Sequence, residues 1–142
     1  LKLIVVAVGK IRDAPLRAAA DDYFARVRRY VPCDEREAKS ADQLERLAPE
    51  GALRVALEVD GEQLTSQMLA ERIERWSARG KGVITFFIGG AEGIPKDVSA
   101  RADVRLSLSK LTLPHRLARV ILAEQLYRAM TIIRGEPYAR EG

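Results

Sequence analysis

The chain has 142 residues, 47% of them hydrophobic and 31% charged, and a formal net charge of +4. That length suits one domain with a sizeable core, and the composition is neither that of a disordered chain nor of a fibrous one. A single cysteine, Cys33, and a single histidine, His115, exclude an internal disulfide and a zinc cluster of Cys and His, and no apolar run approaches the ~20 residues of a membrane helix.

Residues 3–8 are a near-continuous apolar run ending at Gly9, which reads as a buried parallel strand. The run is too short for a signal-peptide core, so a cytoplasmic protein is expected. Residues 16–30 follow an amphipathic helical pattern, with Asp13 as cap, Pro15 at the start and Arg26, Arg28, Arg29 and Tyr30 at the end. Cations there favour the helix dipole, and they equally suit contact with RNA. Cys33 follows in an undistinguished context and reads as a small buried hydrophobe.

Residues 34–39 read as a weak second strand, 41–47 as a short helix, 49–51 as a turn and 53–59 as a third strand. Asp60-Gly61 then marks a turn. Thr65 is placed to cap a helix running through Arg79, with Gly80 as its stop and Leu69, Ile73 and Trp76 on one face. Residues 83–88 form the most apolar strand, expected at the sheet centre. Residues 95–102 read as a short helix and 104–108 as a further strand. The longest helix is 114–134. Its apolar positions Leu117, Val120, Ile121, Leu126, Tyr127, Met130 and Ile133 make a face broad enough for both the sheet and a second subunit. Residues 135–142 read as an irregular tail. Strands alternate with helices throughout, so the fold class is α/β with a mostly parallel sheet and helices on both faces.

Two strand-to-loop switches carry the functional signal. Gly89-Gly90-Ala91-Glu92-Gly93 joins a strand to a helix, where glycines permit close approach of a ligand. Its spacing is neither that of a Rossmann fingerprint nor that of a Walker loop. The second switch is Leu108-Ser109-Lys110-Leu111-Thr112-Leu113-Pro114-His115. With Pro114 at the first helical position, the cap falls on Leu113, a poor capping side chain, and early N–H groups are left for a ligand or for water. Such a pair of loops at the carboxyl ends of strands is how α/β proteins build a small-molecule pocket. His115 is suited to orient or deprotonate a substrate, or to a purely structural place, and Arg119 follows at i+4. Tyr138 and Arg140 offer a stacking ring and a phosphate-binding guanidinium near the end of the chain. Residues 101–142 hold eight Lys/Arg against four Asp/Glu, whereas 41–100 hold seven against ten. The positive excess therefore sits at the two ends, which suits an anionic partner such as RNA and also a solvated helix face. Two other readings are compatible with these residues alone: a nucleotide-binding α/β enzyme using the glycine turn, and a non-catalytic RNA- or ribosome-binding module.

Taken together, LKLIVVAVGK, FFIGGAEG, LSLSKLTLPH, RVILAEQLYRAMTI and PYARE resemble the SPOUT methyltransferases, in particular the ribosomal RNA large subunit methyltransferase H family, over essentially the whole chain. The resemblance implies a single SPOUT domain over 1–142 whose C-terminal part is threaded into a trefoil knot. It implies S-adenosylmethionine as cofactor, held at Leu57, Gly90, Ser109, Lys110, Leu111, Thr112, Leu113 and Pro114, and no metal. It implies a homodimer that methylates N3 of a pseudouridine in helix 69 of 23S rRNA within assembled ribosomes, with His115, Arg119, Tyr138 and Arg140 presented to the RNA. Ala139 stands where the family usually has His, and the chain runs on to Gly142 past the usual Glu ending. The N3 proton is expected to leave to solvent or to a group such as His115, with Arg119 or Arg140 stabilising the anion; Glu92 is a second candidate base.

Overall fold

A computed structural model describes residues 1–140, Arg140 through its backbone alone. Its centre is a five-stranded sheet in the order β2-β1-β4-β3-β5. The strands are β1 (Lys2–Val8), β2 (Cys33–Ala38), β3 (Leu53–Gln63), β4 (Val83–Ile88) and β5 (Val104–Ser107), and every pairing is parallel. β4 lies at the centre, as its apolar run predicts.

The helices are α1 (Ala14–Arg28), α2 (Ser66–Ser77), α3 (Lys96–Arg101) and α4 (His115–Ile133). Strand periodicity assigns them to two faces. Leu3, Val5 and Ala7 of β1 join Ile84, Phe86 and Ile88 of β4 in the larger core, under Phe24 of α1, Ile73 and Trp76 of α2 and Leu122 and Leu126 of α4. Ile4, Val6 and Phe87 point the other way and pack with Leu44 and with Val98 of α3. Both faces of β1 and β4 are thus covered, which is why these strands read as unbroken apolar runs rather than as alternating ones.

Local signals hold where the chemistry is local. Asp13 caps α1, its Oδ1 accepting from Leu16 N–H at 3.0 Å, and Thr65 caps α2, its Oγ1 accepting from Met68 N–H at 3.1 Å. The segment expected as one helix over 41–47 is instead two 3₁₀ turns, Ala41–Gln43 and Glu45–Leu47. The cap of α4 is Pro114, one residue later than the sequence suggests. The tail forms a 3₁₀ turn, Pro137–Arg140.

Asp60-Gly61 is not a turn between elements but the middle of β3, and this is the principal correction to the sequence reading. Leu106 of β5 pairs with Leu57 and again with Glu62, both in parallel register. A strand residue has two hydrogen-bonding edges, so the chain holds one edge of β5 with 55–57 and the other with 62–63, crossing β5 in between. Gly61 sits at the crossing. A Cβ there would lie 2.7 Å from the backbone N and C of Leu106. Only a residue without a side chain lets the two backbones pass this close.

The buried stripe of α4 also differs from the expected face. Arg119, Leu122, Ala123, Leu126, Ala129, Met130 and Thr131 are buried. Leu117, Val120, Ile121, Tyr127 and Ile133 are only half-buried. Arg119 is fully buried because its guanidinium has partners on three sides: Glu35 at 3.0 Å, Glu37 at 2.5 Å and the carbonyl of Gly9 at 2.9 Å. A helical pattern read for apolar residues passes over such a side chain.

Candidate active site

The middle of β3, where it leaves its first pairing with β5, and the carboxyl ends of β4 and β5 open into one pocket of about 620 Å³. Leu57 lines it from β3, Gly90 from the glycine turn, and Leu111, Thr112, Leu113, Pro114 and His115 from the loop that starts α4. Two strand ends and the crossing part of β3 therefore converge on one concavity at the carboxyl side of the sheet, the usual place for a ligand in a parallel sheet.

Each wall has a local cause. In the glycine turn, Gly93 N–H donates to the carbonyl of Gly90 at 3.0 Å, folding the loop back on itself. A Cβ on Gly89 would lie 2.3 Å from the backbone carbon of Gly93, so the turn closes only with glycine there. In the second loop, Ser107 Oγ donates to the carbonyl of Ser109 at 3.0 Å, and Leu111 N–H donates to Ser109 Oγ at 2.9 Å. These bonds shape the loop at Ser109 and Lys110, two expected cofactor residues that do not themselves line the pocket. Leu111 projects outward, 77% exposed.

No side chain caps α4 at Pro114. Its first-turn N–H groups face the pocket end of the helix without an internal partner, as in any uncapped helix. Among the described residues the N–H groups of Lys110, Thr112 and Leu113 also make no hydrogen bond. A pocket floored by apolar groups and rimmed by open backbone donors fits a polar small molecule, and the helix dipole favours electron-rich atoms at this end.

Glu58, Val59 and Asp60 of the crossing segment, not singled out in the sequence, complete the wall, and the candidate base Glu92 lines the pocket too. Glu58 is oriented by Ser99, whose Oγ donates to Oε2 at 2.8 Å. Reading 60–61 as a turn hid this wall, because its course depends on β5. Among the described residues no group of His, Cys, Asp or Glu is arranged to hold a metal ion, and no helix is long and apolar enough to cross a membrane.

The structure does not gather all the candidate residues in one place. His115 lines the pocket, half-buried, at the first position of α4. Arg119 does not line it and is spent on Glu35 and Glu37. Tyr138 folds onto the middle of α4, where its hydroxyl donates to Glu124 Oε2 at 2.8 Å. Burial and the Glu124 carboxylate push the Tyr138 phenol well above its ordinary pKa. Its ring lies 4.5 Å from that of Tyr127, with the Arg128 guanidinium 4.9 Å from its centre. Glu124 is nine residues along α4 from His115, about 13.5 Å at helical rise. The tail of this chain is thus stacked away from its own pocket; the side chain of Arg140 lies outside the described residues. Cys33 is buried, which pushes its thiol up to about 12 and leaves it no part in the site.

Comparison with known proteins extends this picture. A family model described as "Predicted SPOUT methyltransferase" matches residues 1–139. The chain is 58% identical to the ribosomal RNA large subunit methyltransferase H of Sorangium cellulosum, over 98% of this chain and 99% of that protein. It is 45% identical to the protein of the same name from Anaeromyxobacter dehalogenans strain 2CP-1, over 97% and 99%. Among solved structures, a probable methylase family protein from Haemophilus influenzae Rd KW20 superposes with a TM-score of 0.61 at 10% identity, covering 96% of this chain and 69% of that one. TrmJ from Z. mobilis ZM4 gives 0.57 at 12% identity, covering 92% and 70%. These two likenesses are of fold.

Proposed function

Because the chain belongs to the SPOUT methyltransferase family, we propose that it methylates the RNA of the large ribosomal subunit. The finer reading is N3 of a pseudouridine in helix 69 of 23S rRNA, on assembled ribosomes in the cytoplasm, with S-adenosylmethionine as donor. The observation that carries it is the pocket between the crossing part of β3 and the ends of β4 and β5, with open backbone donors at Thr112, Leu113 and the first turn of α4.

The pocket fits that cofactor. Leu57, Leu113 and Ala118 supply apolar walls, Gly90 lines the pocket through its backbone, and the loop and first turn of α4 supply N–H donors. Glu58, Asp60 and Glu92 place negative charge on the wall, which suits a cationic ligand. When bound, the cofactor supplies a methyl group already activated on a sulfonium, so the protein's work is alignment and removal of the N3 proton. His115 is the side chain at the pocket wall suited to accept that proton, with Glu92 as the alternative. Arg119 acts at a distance: bound to Glu35, Glu37 and Gly9, it fixes the first turns of α4 against β1 and β2 and so sets the position of His115 and the loop.

Anion stabilisation then falls to the tail, and the tail's place supports a homodimer. Tyr138 and Arg140 belong to a segment stacked about 13.5 Å along α4 from the chain's own pocket entrance, so they serve the pocket of a second copy. The half-buried Leu117, Val120, Ile121 and Tyr127 of α4 give that copy its apolar contact. The same reading carries a single SPOUT domain with a trefoil knot, supported by the passage of β3 across β5 at Gly61.

The test is transfer of labelled methyl from S-adenosylmethionine to ribosomes from a strain lacking the enzyme, with the modified nucleoside identified by mass. Label on a pseudouridine of helix 69 is the expected outcome, with free rRNA a far poorer substrate. Label on another nucleotide overturns the site, and no label overturns the substrate.

A further inference from the structure

A second concavity lies beside the first. It is a groove of about 900 Å³ between α2, the crossing segment of β3, the end of α3 and the start of β5. Asp60 lines both spaces. The groove and the pocket are therefore the two sides of one wall, residues 58–62.

Four arginines line the groove: Arg72, Arg75 and Arg79 from α2 and the turn after it, and Arg105 from β5. Arg72 and Arg75 are three residues apart on one helix face, about 4.5 Å in rise, and Arg79 lies just past the helix end in extended backbone. The floor is Trp76, 4% exposed, with Val104 beside it.

Three carboxylates also face the groove, and two of them are already used. Glu62 is gripped by both terminal nitrogens of Arg72, at 2.7 and 3.1 Å. Asp103 Oδ2 accepts from the backbone N–H of Arg54 at 2.8 Å. Asp60 stands at the rim shared with the pocket. Among the described residues the side chains of Arg75, Arg79 and Arg105 form no ion pair or hydrogen bond. Arg75 and Arg105 are exposed, as is Arg79. A trough holding a row of uncommitted guanidinia matches a chain of phosphates, which accept in just the forked geometry arginine offers.

We propose that this groove holds the phosphate backbone of the RNA strand whose target base enters the neighbouring pocket, with Arg75, Arg79 and Arg105 as phosphate ligands. The proposal rests on the reading of the substrate as ribosomal RNA. It adds a second surface to that reading, across the 58–62 wall from the pocket. Phosphate contacts position a strand without reading its sequence, so these residues set the register of the substrate and not the choice of base.

The experiment compares wild type with Arg75→Gln/Arg79→Gln/Arg105→Gln and with a control that loses three exposed cations elsewhere, Lys39→Gln/Arg46→Gln/Lys81→Gln. Methyl transfer to ribosomes lacking the modification is measured against ribosome concentration at several salt concentrations. Cofactor binding and thermal melting are measured in parallel. The groove variant is expected to raise KM about tenfold or more, with kcat and cofactor affinity within about twofold, and to flatten the salt dependence by about two to three units of slope. The control is expected to change KM by less than about threefold, since removed surface charge alone acts weakly through screening salt. Wild-type activity with an unchanged KM and slope in the groove variant overturns the groove. An equal rise in KM in the control overturns it too. No transfer by wild type overturns the substrate reading, and with it the assignment of RNA to the groove.

Discussion

Arg119→Met tests whether the buried arginine of α4 is a structural tie or a substrate ligand. Methionine nearly fills the side-chain volume but removes the charge. Glu35 and Glu37, whose side chains are only 12% and 31% exposed, then lose their shared partner. Removing one member of a buried ion pair costs about 3–5 kcal/mol, because the other charge is left desolvated. Arg17 reduces that here: it contacts Glu35 and reaches Glu37 at 3.6 Å. The expected loss is therefore about 3 kcal/mol, at the lower end of that range. For a chain of this length that corresponds to a fall in Tm of about 10 °C. Urea unfolding followed by circular dichroism, at fixed protomer concentration, gives the value. Adding Glu35→Gln and Glu37→Gln to the same chain is expected to recover most of the loss, since no buried charge is then orphaned. The reasoning is refuted if Arg119→Met leaves the melting temperature within 2 °C, roughly what less than 1 kcal/mol gives, while methyl transfer is abolished. That result would place the guanidinium on the substrate.

Other expectations follow from single sites. Gly61→Ala puts a methyl group 2.7 Å from the backbone of Leu106, and expression is expected to give little folded protein, with refolding yield as the readout; Val59→Ala, next door and exposed, is the control that should fold normally. Thr85 is fully buried with its Oγ1 unpartnered, so Thr85→Val is expected to raise stability by about 1 kcal/mol in the same urea assay, and a loss would reveal a partner for the hydroxyl. On the acid side, hydrogen bonds from Arg36 and then Lys2 hold the Asp34 carboxyl below its usual range, and Arg101 does the same for Glu45. A folded-state pKa below the unfolded one stabilises above the unfolded value and is lost as pH falls through the folded one. The urea midpoint is therefore expected to stay level from about pH 7 to 5 and to drop below about pH 4, with a shallower drop in Glu45→Gln; an unchanged drop would show that these pairs contribute nothing.

Much of this protein is written locally. Asp13 and Thr65 cap their helices because a side-chain oxygen three residues ahead of a free N–H needs no distant partner. The runs at 3–8 and 83–88 declare buried parallel strands, since a strand covered on both faces has no polar side to show. The uncapped start of α4 and the folded glycine turn are likewise visible as residue types, and they meet in one pocket because parallel strands all end on the same side of the sheet. What tertiary structure decided are the features that depend on residues far apart in sequence. Asp60-Gly61 has the composition of a turn, and only the backbone of Leu106, 45 positions on, makes it a crossing. Arg119 has the spacing of a partner for His115, yet carboxylates on β2 draw it into the core, because a desolvated guanidinium goes where its charge is matched. Tyr138 stacks on Tyr127 and Arg128 rather than over its own pocket, and Arg75, Arg79 and Arg105 share a groove only once α2 and β5 are packed. Propensity and periodicity act over a few residues; burial, charge pairing and chain crossing act across the whole fold, and these placed the residues around the site.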